Sequence, residues 1–361
     1  MAQLSFFGIS INLPLFRSSD SRMRISPFDL LLPLLVLAGC SGVQNPPPAP
    51  EPATPLVWPA PPDLPRISYV RSISRPADFG IKVSALGRIG RWLTGSDKGN
   101  EALVKPFGIA LDENDNLCLT DTGTATVCYY DRLRKKSLRW AKVGNIRFVA
   151  PVAIAKQHGI FYVADSGLGE VLAFNENGKV QQQITNHLER PVGLAVCNDQ
   201  LYVADSQRHA IVVFDLAGRY RAEFGHRGEG PGEFNFPTHL AVDSAGNLYV
   251  TDSMNGRVQV FDGAGKFQRQ IGSLGDGPGS FSRPKGLALD SLGHLYVVDA
   301  LFDNFQIFDE SGRLLLNLGE MGPDPGQFWL PNGITISHTN EILVADSYNR
   351  RVQVFKYIGQ P

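Results

Sequence analysis

Six aspartates, Asp121, Asp165, Asp205, Asp252, Asp299 and Asp346, each stand fourteen or fifteen residues after a proline, and the last three intervals between them are 47 residues. Six carboxylates could gather into a cation site or supply an acid–base pair. Their recurrence at one place in every unit favours a structural task instead: an aspartate opening a turn accepts hydrogen bonds from backbone N–H groups two residues on. Histidine is the scarcer signal. Only His239 falls near a proline that opens a unit, and one histidine cannot supply the three protein ligands of a catalytic zinc. Asn332 alone does not make an oxygen cage for calcium, and there is no G-x-S-x-G nucleophile elbow. No cofactor is expected; a structural cation on the axis of the fold stays an open alternative.

These residues must be positioned by short strands. Segments opening at Pro106, Pro151, Pro191, Pro237, Pro284 and Pro331 run into an apolar strand that ends at the aspartate, as in the stretch Leu248 to Thr251. A polar turn and an alternating strand follow, as from Arg257 to Phe261 and from Arg351 to Phe355, and then a fourth strand ending in glycine. Period-two alternation with β-branched and aromatic residues reads as strand. Four strands per unit of about 40–47 residues is the size of a propeller blade. The 37 glycines and 25 prolines fit many turns. The expected fold class is all-β, a six-bladed propeller with four-stranded blades over residues 66–361.

The pattern P-x-G-[LI]-A, then LYVxDS, then N-x-R-[VI]-Q-V-F, closely resembles the NHL repeat over residues 106–356. No Gly-His and Trp-Asp pair recurs as in WD40 repeats. Blade six has three strands before the chain ends, so residues 66–74 are expected to close the ring as its outer strand, covering an open seam. Val83, Leu86, Ile89 and Leu93 follow helical spacing, weakened by Gly87 and Gly90, and are expected to pack on the rim.

In NHL-like propellers the loops between blades and the loops after the aspartates share one end, called here the top face. The resemblance puts Phe107, Val152, Val192, Thr238, Lys285 and Asn332 around the channel, with His239 one place later. Peptidyl-hydroxyglycine amidating lyases resemble this fold and hold zinc with three histidines beside the strand-opening proline; those positions here carry the six residues just named. The candidate binding residues are therefore this ring, His239, and the unrepeated aromatics Phe236, Phe302, Trp329 and Tyr348, because unrepeated side chains on variable loops are where recognition is expected. Arg257 and Arg351 are expected to hold turns or neighbouring blades together. Three interblade loops share a Pro-Gly pair followed by Phe234, Phe281 or Phe328, read as rings that plug the gap between blades. The basic run from Arg132 to Arg139 falls on the opposite face, as a solvated turn or a contact for anionic headgroups.

Cys118 and Cys128 flank Asp121. A turn centred near residue 123 makes them face each other within disulfide reach. Two separate core thiols are the equal alternative, since hairpin register can slip by a residue. Cys197 has no evident partner.

The first 65 residues read as address and tether. A basic start at Met23 and Arg24, an apolar run from Leu30 to Leu37, and small residues make a secretory signal over residues 1–39, with Met23 as a second possible start. The run from Leu37 to Cys40 resembles a bacterial lipobox, implying lipid on Cys40, and Ser41 after it implies the outer membrane, facing the periplasm or the surface. From Pro46 to Pro65 ten of twenty residues are proline, which lacks a donor, so this stretch of the 40–65 linker is expected to join neither helix nor sheet and to reach roughly 60 Å as a stalk. Net charge is −1, and with export this argues against nucleic acid as a partner. The expected function is a lipid-anchored envelope protein that binds a protein, peptide or glycan on its top face, with a subunit of an envelope complex as one such role, and is no enzyme; the rival is a metal-dependent lyase or lactonase of the propeller type.

Overall fold

The computed structural model describes residues 55–81 and 101–359. The signal segment, Cys40, most of the tether and the helical spacing at Val83 to Leu93 lie outside the described residues. Among those described, six sheets are arranged as blades, five with four strands and the sixth with five, and a two-stranded hairpin, Lys142–Val143 with Ile146–Arg147, stands between the first and second blades. The first three strands of each blade run outward in chain order from a proline-led inner strand: Pro106–Leu111, Pro151–Gln157, Pro191–Cys197, Pro237–Val242, Pro284–Leu289 and Pro331–Ile336. Successive inner strands touch, and the sixth touches the first, so the ring is closed.

The second and third strands of the blades are buried over nearly their whole length. A blade is covered on both faces by its neighbours, so the alternation of Arg257–Phe261 does not separate core from solvent as it would in a half-exposed sheet. Its polar members therefore need internal partners. Gln259, Gln306 and Gln353 accept from the N–H groups of Gly232, Gly279 and Gly326 at 2.9, 3.0 and 2.9 Å, and donate to the carbonyls of Glu233, Ser280 and Gln327 at 2.7, 2.8 and 2.6 Å. Each glutamine thus staples one glycine-rich interblade loop. The phenylalanines that end those loops, Phe234, Phe281 and Phe328, are fully buried between blades. Gly225, at φ +89°, explains its own choice: a Cβ there would collide with the Phe234 ring.

Ring closure follows the sequence expectation. Ile67–Ile73 pairs antiparallel with Arg351–Tyr357, with Tyr69 opposite Phe355 and Ile73 opposite Val352. Ile67 and Ile73 are wholly buried, a gain of about 1.5–3 kcal/mol for each side chain. The tether reading needs correction here. Val57–Trp58 forms a fifth, edge strand, with Val57 opposite Ser68 and Trp58 opposite Ile67. Proline is excluded from central strands but tolerated beside an edge, and the proline-free stretch from Leu56 to Trp58 bonds the neighbouring strand between Pro55 and Pro59. Trp58 then lies edge-on to Phe355, centroids 5.8 Å apart.

The disulfide reading is also corrected. Asp121 lies opposite Thr126, so the hairpin centres between residues 123 and 124; Cys118 faces Tyr129, and Cys128 faces Leu119. That half-residue shift sends the two side chains to opposite faces of the blade. Both are free thiols, packed in different clusters, Cys118 against Phe161 and Val163 and Cys128 against Leu119 and Tyr130. Burial pushes both thiols up from their ordinary range. Cys197, also free, is half-buried.

Candidate functional site

The six aspartates are fully buried at the top ends of the second strands, and they anchor the loops that lead into the inner strands. Asp121 accepts from the N–H groups of Val104 and Lys105 at 2.9 and 3.0 Å, Asp165 from Val149 and Ala150 at 2.8 and 2.9 Å. Asp205 does the same with Glu189 and Arg190, and Asp299 with Ser282 and Arg283. The same carboxylates accept from Gly123, Gly167, Gln207 and Leu301, two residues on. Blades four and six vary the scheme. Asp252 and Asp346 hold only the first loop N–H, of Asn235 and Trp329, and turn an oxygen to Arg257 and Arg351. The second N–H is taken by the preceding blade: Phe236 donates to His209 Nδ1 at 3.2 Å, and Leu330 to Asp303 Oδ1 at 2.7 Å. These carboxylates are spent on backbone, and among the described residues no three His, Cys, Asp or Glu gather in a way that could hold a metal ion.

Bulges aim the channel residues. In every blade the pairing of the inner strand breaks just after the proline, leaving Phe107, Val152, Val192, Thr238, His239, Lys285 and Asn332 outside the ladder. A bulge of this kind re-aims a side chain. Val152 and Val192, half-buried, occupy the matching places in blades two and three. Two places after the proline, Gly108, Gly193, Gly286 and Gly333 sit against the backbone of the next inner strand, where a Cβ would clash. Blade two has Ala153 there, and blade four has His239. The sequence therefore puts an imidazole where the repeat calls for a glycine, a substitution legible once the units are aligned.

That imidazole makes no hydrogen bond: both ring nitrogens are shielded from solvent and unpartnered, and Asn332 comes near without reaching bonding geometry. Thr238 Oγ1 and Asn332 Oδ1 are likewise buried and unpartnered. Burial, and then the ammonium of Lys285, hold the His239 imidazole down at about 3, so it is neutral at any ordinary pH. Lys285 is itself held down at about 8, by burial first, then by Arg283 and Arg190, with Asp299 pulling the other way. Chemically the channel mouth is a neutral imidazole, an amide, a hydroxyl and a weakened ammonium, with cations outweighing the one nearby carboxylate.

Around it the top face exposes large apolar groups. Trp329 and Tyr348 are 45% and 44% exposed and form a tilted pair, centroids 5.5 Å apart. Lys105 donates to the Tyr348 hydroxyl at 3.1 Å and lies over its ring. Phe236 is exposed at the edge of His209, and Phe302 is half-buried. Met254 and Leu301, on the loops after Asp252 and Asp299, are exposed on the same face. On the opposite face the basic run is largely paired: Arg134 and Lys136 both reach Glu176, at 3.2 and 3.3 Å.

Comparison with known proteins agrees with this geometry. A family model described as a 6-bladed beta-propeller matches residues 185–248 and again 244–305, and the NHL repeat model matches 328–355. The chain is a six-bladed β-propeller, and its last blade matches an NHL repeat. Among solved structures similar to this propeller, an auxiliary nutrient binding protein from Bacteroides thetaiotaomicron is 13% identical, with 71% of this chain and 70% of that one covered and a TM-score of 0.57. Virginiamycin B lyase from Staphylococcus aureus is 14% identical, covering 71% and 96%, with a TM-score of 0.54. Hydrazine synthase of Kuenenia stuttgartiensis is 15% identical, covering 73% and 99%, at 0.53. At these identities the likeness is one of fold.

Proposed function

We propose that this propeller is a bacterial envelope lipoprotein, tethered through Cys40, that binds a protein, peptide or glycan on its top face and carries out no catalysis of its own. The observation that supports the reading best is the exposed Trp329–Tyr348 pair, with Phe236 exposed on a corresponding interblade loop. The repeat does not require these rings, since other blades lack them, and solvent-facing aromatics clustered on loops are the anchors that interfaces use. The loops that carry them are fixed by buried carboxylates, Asp252 and Asp346, so the surface is held ready rather than ordered on contact. The tether and the top face together suit a subunit that presents one surface to a larger envelope assembly.

The test is affinity capture from solubilised envelopes with the full chain and with a variant carrying Phe236→Ser, Trp329→Ser and Tyr348→Ser. A partner retained by the parent and lost by an equally stable variant is the expected result. An identical set of captured proteins from both would overturn the assignment of the top face.

A further inference from the structure

The residue immediately before each strand-opening proline is the last residue of the loop that leads into the inner strand. Around the ring these are Lys105, Ala150, Arg190, Phe236, Arg283 and Leu330. Three of six are cations, and Lys285 adds a fourth inside the mouth. Lys105 is engaged by Tyr348. Arg190, Arg283 and Lys285 form no ion pair with any described carboxylate. Yet Arg190 and Arg283 stand close enough to Lys285 to weaken its hold on a proton. Three cations thus stand near one another, and the carboxylates behind them, Asp205 at Arg190 and Asp299 at Arg283, are wholly buried and given to backbone N–H groups.

Beneath them, Asn332 is 6% exposed and leaves its side-chain oxygen unpartnered, as does the Thr238 hydroxyl. Buried polar atoms are nearly always bonded, so this is capacity that the fold alone does not use.

Resting on the top-face reading above, we propose that the mouth takes an acidic peptide segment, its carboxylates set against Arg190, Arg283 and Lys285 and an apolar side chain against Trp329 and Tyr348. Charge complementarity selects an anion. The surroundings select a peptide over a uniform polyanion. Farther out along the interblade loops the same face exposes Glu229, Asp276, Glu320 and Asp324. A polyphosphate or polyuronate lying across the face would meet that acidic surround; a peptide with its acids at one point would not. Exposed aliphatic groups on the face, Val149, Leu168, Met254 and Leu301, suit the side chains of a peptide more than the hydroxyls of a sugar.

The experiment is selection of a random twelve-residue peptide library on the full-length protein, with enriched sequences remade as synthetic peptides and titrated at low and high salt. Heparin serves as the anionic polysaccharide control. The expected result is enrichment of net-acidic peptides that carry an apolar residue, with binding weakened at least tenfold by Arg190→Gln with Arg283→Gln, and separately by Trp329→Ser with Tyr348→Ser, in variants that melt as the parent does. Neutral or basic peptides that lose binding only in the Trp329, Tyr348 variant would overturn the acidic specificity and leave the top face standing. Heparin binding more tightly than every peptide, and sensitive to the arginine pair, would overturn the peptide assignment. Enriched peptides indifferent to both variants, or no enrichment at all, would overturn the site.

Discussion

Arg351 donates through Nε to Asp346 at 2.8 Å while its terminal nitrogen reaches the carbonyls of Asp324 and Gln327, so one buried guanidinium joins the turn of blade six to the loop that enters it. Arg257 repeats the arrangement one blade pair earlier, bonding Asp252, Gly230 and Glu233. Burial pushes the carboxyls of Asp252 and Asp346 up, against the pull of the arginines. Removing the cation leaves that carboxylate buried and uncompensated. Arg351→Ala should cost about 3–5 kcal/mol in urea unfolding, and Arg351→Lys should recover little of it, because an ammonium cannot span the three acceptors in a fork. A loss under 1 kcal/mol would show the bridge to be incidental.

Lys285 makes stability depend on pH in a direction that can be worked out. Its folded value of about 8 lies below the ordinary lysine value, near 10.4 when unfolded. Between those values the unfolded chain binds the extra proton, so stability rises with pH through that window. Below about 8 the residue is charged in both states and its burial cost is present in full. The groups bearing on it are Arg190, Arg283, Asp299 and the neutral His239. Lys285→Met should therefore raise the melting temperature at pH 7, and the advantage should shrink toward pH 10. An advantage that stays constant with pH would place the ammonium in ordinary solvent.

Cys118 and Cys128 give a covalent check on strand register. Peptide mapping of the unfolded protein, alkylated without prior reduction, should find both residues modified. A cross-linked peptide pair would require the hairpin to centre half a residue earlier than Asp121 opposite Thr126 allows.

The ring was legible because its signals repeat. The proline-to-aspartate spacing recurs in all six units, and a missing outer strand at one end matched an alternating strand at the other. The cysteine pairing was not legible, because a shift of half a residue in one turn decides it. The edge strand at Val57–Trp58 is hidden by proline content averaged over twenty residues, whereas pairing depends on the three residues between Pro55 and Pro59. The loop anchoring by the aspartates needed three dimensions: their partners lie about fifteen to seventeen residues back, across a strand pair. His239 was visible as an oddity, yet only the close approach of inner strands at Gly193 and Gly286 shows what an imidazole displaces there.

The central claim, that the top face is where this propeller meets its partner, is tested most directly by photo-crosslinking in intact cells. A photoreactive residue would replace Trp329 on the top face in one strain and Leu133, 78% exposed on the opposite face, in another. Discrete adducts from position 329, and none from 133, are the predicted result; adducts confined to position 133, or equal from both, would contradict it.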